Sequence, residues 1–108
     1  MSTDNPIPKR LKEARKKMKI SQKNLGISIG MEAGSASARM NQYERGVHTP
    51  DVSTLKLLAK ELGVPLNYFF CEDDESAEIA TAIAKLTSEQ RSQVIAFINT
   101  LCKKTNEN

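Results

Sequence analysis

SASARMNQYERG, residues Ser35 to Gly46, has the composition of a helix but an unusual polar side. On a helical wheel of about 100° per residue, three side chains form one narrow stripe that a core would cover: Ala36, Met40 and Tyr43. The opposite side carries Asn, Gln and Arg instead of the Glu and Lys of an ordinary solvated face. The stretch therefore predicts a helix that packs by one face and presents hydrogen-bonding groups on the other.

The outward side of this helix combines donors, acceptors and very small side chains. Asn and Gln present a donor and an acceptor together, which suits an adenine edge, and the Arg fork suits guanine or a phosphate. Small Ser and Ala side chains would let the helix sit close in a groove. The residues on or beside this side are Ser37, Ala38, Arg39, Asn41, Gln42 and Arg45. Taken alone, the pattern also fits a solvated helix that happens to lack carboxylates.

Helical periodicity continues on both sides of this stretch, and no segment alternates as a strand would. We predict a first helix over residues 8–18. A second helix should begin after Ser21 as its N-cap and close at Gly30, and a fourth should end at Gly63. The short apolar segment PLNYFF, residues 65–70, is predicted as a fifth helix. These segments together predict an all-α fold.

Charge is distributed unevenly along the chain. Residues 1–70 hold 12 Lys and Arg against 6 Asp and Glu, a formal charge of +6, whereas residues 71–108 hold 4 against 7, a formal charge of −3. A basic first part suggests a polyanionic partner, although many proteins carry a basic patch for solubility alone.

Residues 9–70 resemble the lambda-repressor and Cro type of DNA-binding domain, the XRE family, in which five helices surround one core. The resemblance is carried by Ser21-Gln22, Leu25, Gly30, the segment NQYERG from Asn41 to Gly46, Pro50, and the segment LKLLAKELGVPL from Leu55 to Leu66. The second and third helices of such a domain form a helix-turn-helix that places the third helix in the major groove. The resemblance implies a bacterial or phage transcriptional regulator of double-stranded DNA, typically a repressor.

The resemblance, taken with the wheel, implies a role for each position. The residues expected to read base edges are Ser37, Ala38, Arg39, Asn41 and Gln42. Those expected to contact the DNA backbone are Gln22, Lys23, Ser35, Arg45, His48 and Thr49, with plain exposure as the alternative for His48. The resemblance also implies an ion pair between Arg15 and Glu44, for which the alternative is a solvated Arg15.

One departure from the family concerns the turn before the third helix. The spacing from Ser21 to Glu44 is about four residues longer than is typical of such domains, and the extra residues fall within Met31–Ser35. Because Ala36 lies where the family usually places a capping Ser or Thr, we predict that Ser35 caps the third helix instead.

The acidic segment CEDDES predicts a boundary. We divide the chain into a helix-turn-helix domain (residues 1–70), an acidic linker (residues 71–75) and a C-terminal helical pair (residues 76–108), with helices over 76–85 and 88–103. The last helix carries an apolar stripe wider than one neighbour would cover: Val94, Ile95, Phe97, Ile98 and Leu101. We predict that this stripe forms a homodimer, and the alternative is that both helices pack back on the domain.

Several classes of function are not supported by the sequence. His48 is the sole histidine and has no second ligand at a useful spacing, so we expect no metal, no cofactor and no enzyme activity. We expect no small-molecule ligand, no membrane span of about 20 apolar residues, and a cytoplasmic location. The alternative to DNA binding is a protein-interaction module of the same fold with an acidic protein partner.

Overall fold

In the computed structural model, the described part of the chain, residues 5–106, contains six α-helices, one 3₁₀ helix and no strand. The α-helices are α1 (Ile7–Met18), α2 (Gln22–Ser28), α3 (Ala33–Glu44), α4 (Val52–Leu62), α5 (Asp74–Ala84) and α6 (Ser88–Asn106). The predicted all-α fold is confirmed. The predicted fifth helix is a short 3₁₀ helix, Leu66–Phe70, between α4 and α5.

The ends of the helices follow from local chemistry. The Ser21 side chain accepts a hydrogen bond from the Asn24 N–H at 3.0 Å, which confirms the predicted N-cap of α2. Asp51 does the same for α4, accepting from the Thr54 N–H at 2.8 Å. These side chains satisfy backbone N–H groups that have no partner within the helix. At the other end of α4, Gly63 has a φ of 70°, the left-handed conformation that glycine adopts at lowest cost.

One core lies between α1 to α4 and the 3₁₀ helix. Its fully buried apolar side chains come from all five elements: Leu11, Leu25, Ala36, Met40, Leu58 and Phe69 are 0% exposed. Ala77 of α5 joins the same cluster at 3% exposure, so α5 packs on the domain through this residue. The first of the two C-terminal helices is therefore part of the folded unit.

The helix α3 begins earlier than the sequence predicted. Its N-cap residue is Glu32, and Ser35 lies within the first turn, where its N–H donates to the Glu32 carbonyl at 3.1 Å. The expectation that Ser35 caps α3 is therefore wrong. Met31 is buried in the core at 9% exposure and holds the preceding segment in place. The extra residues thus lengthen the helix instead of the turn.

The helix α5 also begins earlier than predicted, at Asp74, within the segment that we assigned to an acidic linker. The Asp73 side chain accepts from the Ser76 N–H at 2.7 Å and caps the helix. Asp74 and Glu75 form its first turn, where the positive end of the helix dipole stabilises carboxylates. The acidic run is therefore a helix start instead of a solvated connection.

The helix α6 projects away from the rest of the molecule. Every residue from Ser88 to Lys104 is exposed except Val94, which is half-buried. The molecule measures 58 × 35 × 23 Å, and its radius of gyration of 16.7 Å exceeds the roughly 13 Å of a compact chain of this length. Of the helices in residues 5–106, none is long and apolar enough to cross a membrane.

Candidate nucleic-acid interface

Close packing of α2 against α3 sets the geometry of the candidate surface. A Cβ atom placed on Gly26 would lie 2.8 Å from the Ala36 Cβ and 3.2 Å from the Ala36 carbonyl oxygen. The missing side chain of Gly26 and the small side chain of Ala36 thus let the two helices touch. Sequence reasoning did not single out Gly26, because a glycine within a short helix does not indicate which residue of another helix packs against it.

The buried and exposed sides of α3 are those that the helical wheel predicted. Ala36 and Met40 are 0% exposed, and Tyr43 packs half-buried against the core. Five outward side chains are exposed: Ser37, Ala38, Arg39, Gln42 and Arg45. Two others are half-buried, Asn41 and, at the start of the helix, Ser35. The inward stripe and the polar outer side are therefore both present.

A buried ion pair fixes α3 against α1. Arg15 donates from Nε to Glu44 Oε2 at 2.5 Å and from Nη2 to Glu44 Oε1 at 3.1 Å. A third bond runs from Arg15 Nη1 to the Ile20 carbonyl at 2.9 Å. The side chains of Arg15 and Glu44 are 13% and 2% exposed. This bidentate geometry holds the C-terminal end of α3 to the end of α1.

Gln22 and Asn41, which we expected to contact DNA separately, contact each other. Gln22 Nε2 donates to Asn41 Oδ1 at 3.2 Å and to Glu44 Oε1 at 3.0 Å. The start of α2 therefore lies beside the C-terminal half of α3, and Lys23 lies exposed next to it. Sequence reasoning missed this contact, because the two residues are 19 positions apart and on different helices.

The segment after α3 folds back onto the same end of that helix. Gly46 has a φ of 78°, and the N–H groups of Val47 and His48 both donate to the Gln42 carbonyl, at 2.9 and 3.3 Å. His48 and Thr49 are exposed there. The residues expected to contact the DNA backbone thus lie on both sides of the residues expected to read bases.

Within residues 5–106, the basic side chains on this surface make no ion pair. Among the described residues, the ion pairs involve Lys9, Arg10 and Arg15, and none involves Lys23, Arg39 or Arg45. From Ala33 to Arg45, Glu44 is the single acidic residue, and its charge is buried against Arg15. The outward face of α3 therefore offers positive charge and neutral hydrogen-bonding groups to an anionic partner.

A second polar cluster, which sequence reasoning missed, joins α1 to α5. The Arg10 side chain is 1% exposed; its Nε donates to the Cys71 carbonyl at 2.8 Å and its Nη1 to Asp74 at 3.0 Å. Nη1 also donates to Glu13, which accepts from the Tyr68 hydroxyl as well. Burial, followed by the hydrogen bond to Glu13, raises the pKa of Tyr68. The cluster fixes the position of α5 on the domain.

The sequence of this domain is similar to that of a known protein family. The family described as helix-turn-helix matches residues 11–69, which is more than half of the chain. The chain belongs to the helix-turn-helix family, of the lambda-repressor and Cro type. The match covers most of α1, all of α2 to α4, and the 3₁₀ helix up to Phe69.

A solved relative extends the similarity beyond that family match. The crystal structure of the transcriptional regulator BswR is similar to this helix-turn-helix protein with a TM-score of 0.80 and 45% sequence identity, covering 87% of this chain and 93% of that one. That coverage exceeds residues 11–69 and so includes residues outside the family match. No curated protein matches the chain. In residues 5–106, no group of three or more His, Cys, Asp or Glu residues is arranged to hold a metal ion.

Proposed function

We propose that this helix-turn-helix protein is a sequence-specific repressor of transcription that binds double-stranded DNA as a two-fold dimer. The observation that carries the proposal is the outward side of α3, which presents Asn, Gln, Arg and small residues, with no exposed acidic residue between Ala33 and Arg45. Arg side chains and amides are the groups that pair with base edges in the major groove. The similarity to the transcriptional regulator BswR supports a role in the regulation of transcription.

The support of α3 makes this surface suitable for reading a sequence. Base discrimination requires side chains held within about 0.5 Å of their contact geometry. The core covers the inner stripe of α3, and Glu44 is bonded to both Arg15 and Gln22. The helix therefore presents its outer side chains from a rigid base, as a recognition helix must.

The dimer is proposed from α6. Its exposed apolar residues include Ile95, Phe97, Ile98 and Leu101, with exposures of 58%, 63%, 45% and 49%. Such a stripe is unfavourable in water without a covering surface. A second copy fits it, because acidic Glu89 lies in the first turn of α6 and Lys103 in its last turn, so an antiparallel pair would bring opposite charges together. Two recognition helices would also read a longer operator than one.

The dimer is tested by sedimentation of matched variants at tens of micromolar protein. We expect the wild-type protein to be a dimer and Phe97→Glu to be a folded monomer, because a charge cannot be buried in the apolar interface. Ala96→Glu places the same charge on the opposite side of α6 and should remain a dimer. A wild-type protein that is monomeric both free and bound to its operator would contradict the dimer.

Base reading is tested by comparing two variants on the operator and on random DNA. The operator is obtained by sequencing the genomic fragments that the purified protein retains. Gln42→Ala should cost about 1–3 kcal/mol on the operator and little on random duplex. Lys23→Ala should weaken binding to both DNAs and reduce the slope of log affinity against log salt concentration by up to about one. Equal losses from Gln42→Ala on the two DNAs would remove its base-reading role.

Repression and location follow from the same proposal and have their own test. A regulator of this type acts where the genome is, in the cytoplasm of a bacterial cell. A reporter with the operator beside its promoter should fall in output when the protein is expressed, whereas a rise would indicate an activator. A protein that is retained neither by heparin nor by random duplex DNA would instead favour the interaction module with an acidic protein partner.

A further inference from the structure

We infer that Gln22 orients the side-chain amide of Asn41, so that Asn41 presents only a hydrogen-bond donor to DNA and selects guanine. The inference rests on the proposed function and specifies how one residue of the recognition surface reads a base. It follows from the hydrogen bonds that join α1, α2 and α3 beneath that surface.

The ion pair between Arg15 and Glu44 determines which amide atom Gln22 turns toward Glu44. Glu44 is bonded to Arg15 through both carboxylate oxygens, so it is ionised and can only accept hydrogen bonds. The Gln22 atom 3.0 Å from Glu44 Oε1 must therefore be the amide nitrogen Nε2 and not the amide oxygen. The ion pair thus determines the orientation of the Gln22 amide.

The Gln22 amide in turn orients the side chain of Asn41. One hydrogen on Gln22 Nε2 is used by Glu44, and the other points to Asn41 at 3.2 Å. Because a donor needs an acceptor, Asn41 must turn its Oδ1 toward Gln22. The reverse orientation would place two NH₂ groups against each other. With Oδ1 turned toward Gln22, the amide nitrogen Nδ2 points away from Gln22, and half-buried Asn41 keeps part of its side chain exposed.

The orientation of the Asn41 amide determines which base it prefers. An Asn that pairs with adenine uses its amide oxygen and nitrogen together, whereas the Asn41 oxygen is turned inward toward Gln22. An NH₂ group has two hydrogens and fits guanine, whose major-groove edge offers the two acceptors N7 and O6, whereas adenine offers only N7 and thymine only O4. Gln42 is exposed and, within residues 5–106, makes no side-chain hydrogen bond, so it keeps both groups for an adenine edge. Neighbouring amides on α3 would therefore read different bases.

The same bonds change the role of Gln22. Both of its amide hydrogens are engaged by Asn41 and Glu44, so it has none to donate to a phosphate. Its remaining oxygen is an acceptor and cannot bond a phosphate oxygen, which is also an acceptor. Gln22 is therefore a positioning residue for Asn41 instead of the backbone contact that the family resemblance implies.

The experiment measures base preference at every operator position by competition binding with all four base pairs. At one position per half-site, the wild-type protein should prefer guanine by about tenfold. Asn41→Asp keeps an acceptor for Gln22 but presents an acceptor outward, so the preference there should switch to cytosine, whose N4 donates. Gln22→Leu frees the Asn41 amide to rotate, and the preference should fall below about threefold at that position alone.

Lys23→Ala is the control, because it should lower affinity for every sequence without moving any base preference. A second measurement uses the free protein: the side-chain amide hydrogens of Gln22 should exchange with water more slowly than those of Asn41, as followed by NMR. This exchange comparison tests the orientation of the Asn41 amide even if a thermal melt shows that Gln22→Leu is not folded.

The outcomes separate this inference from the proposed function. Three results would overturn the proposed orientation of the Asn41 amide and leave the proposed function intact. They are a preference for adenine at the position that Asn41 contacts, an unchanged base preference in folded Gln22→Leu, and faster side-chain amide exchange at Gln22 than at Asn41. Absence of any specific operator for the wild-type protein would overturn the proposed function, and the inference with it.

Discussion

The helices α3 and α6 are both amphipathic, yet only α3 has its apolar side covered. Ala36 and Met40 of α3 are 0% exposed, whereas Phe97 and Leu101 of α6 are 63% and 49% exposed. Helical periodicity therefore predicts that a surface will be covered but does not identify the element or chain that covers it. For α3 the cover is the core of its own domain, and for α6 we propose a second copy of the chain.

The most direct test of this difference compares Met40→Ala with Phe97→Ala. Met40→Ala should lower the free energy of unfolding by about 2–5 kcal/mol at any protein concentration, because it leaves a cavity in the core. Phe97→Ala should change the stability of the dilute monomer by less than about 0.5 kcal/mol, since its side chain is already in water. Urea denaturation at two protein concentrations measures both.

For Phe97→Ala, the loss should appear only at the higher concentration, where the proposed dimer adds stability. An equal loss at both concentrations would mean that α6 packs on its own domain, and the distinction between the two helices would disappear.

Loss of the ion pair that holds α3 to α1 should cause the next largest decrease in stability. Glu44→Ala removes a carboxylate that is 2% exposed and leaves Arg15 and Gln22 without their acceptor. We expect a loss of roughly 3 kcal/mol, because a partly buried charge is then unpaired. Arg45→Ala, its exposed neighbour, should stay within about 0.5 kcal/mol of wild type. An unchanged melting curve for Glu44→Ala would show that the core stripe alone holds α3.

The contact between α2 and α3 is tested by two glycine substitutions. Gly26→Ala adds a Cβ 2.8 Å from the Ala36 Cβ, so the helices must separate, at a cost of about 1–3 kcal/mol. Gly34→Ala in the first turn of α3 meets no atom within 4 Å and should stabilise the fold by up to about 1 kcal/mol through helix propensity. Thermal unfolding measures both, and equal effects of the two would contradict the close contact.

The smallest expected effect is on the stability of the fold in acid, through the ion pair that joins α5 to α1. Hydrogen bonds from Arg10 and Lys9 lower the pKa of Asp74 below its ordinary value of 3.8. A carboxyl whose pKa is lowered on folding stabilises the fold above its unfolded pKa, and this contribution is lost as the pH falls through the folded pKa. Asp74→Asn should therefore be slightly less stable near neutral pH and lose less stability below about pH 4.

Melting temperatures of wild type and Asp74→Asn across this acid range provide the measurement. Glu75→Gln is the control, since Glu75 makes no ion pair among the described residues. Identical acid profiles for wild type and Asp74→Asn would show that Asp74 does not hold α5 to α1.

Much of the domain and of its recognition surface could be predicted because the relevant information is local. The stripe of Ala36, Met40 and Tyr43 follows from a period of 3.6 residues, and the cap at Ser21 follows from a side chain and an N–H three residues apart. Even so, the start of α3 was placed wrongly at Ser35. Burial of Met31, which local pattern does not reveal, lets the helix begin at Ala33, after the N-cap residue Glu32.

The all-α class, the helix-turn-helix and the outward position of Gln42 could be predicted from the sequence, since each depends on residues within a few turns of one another. Three contacts were found only in the folded protein: Gly26 touches Ala36, Gln22 bonds the Asn41 amide, and Arg10 binds Asp74. The tertiary structure also decided that α5 packs on the domain whereas α6 does not. The physical reason is that contacts between helices depend on how the helices cross, and periodicity within one helix carries no information about that crossing.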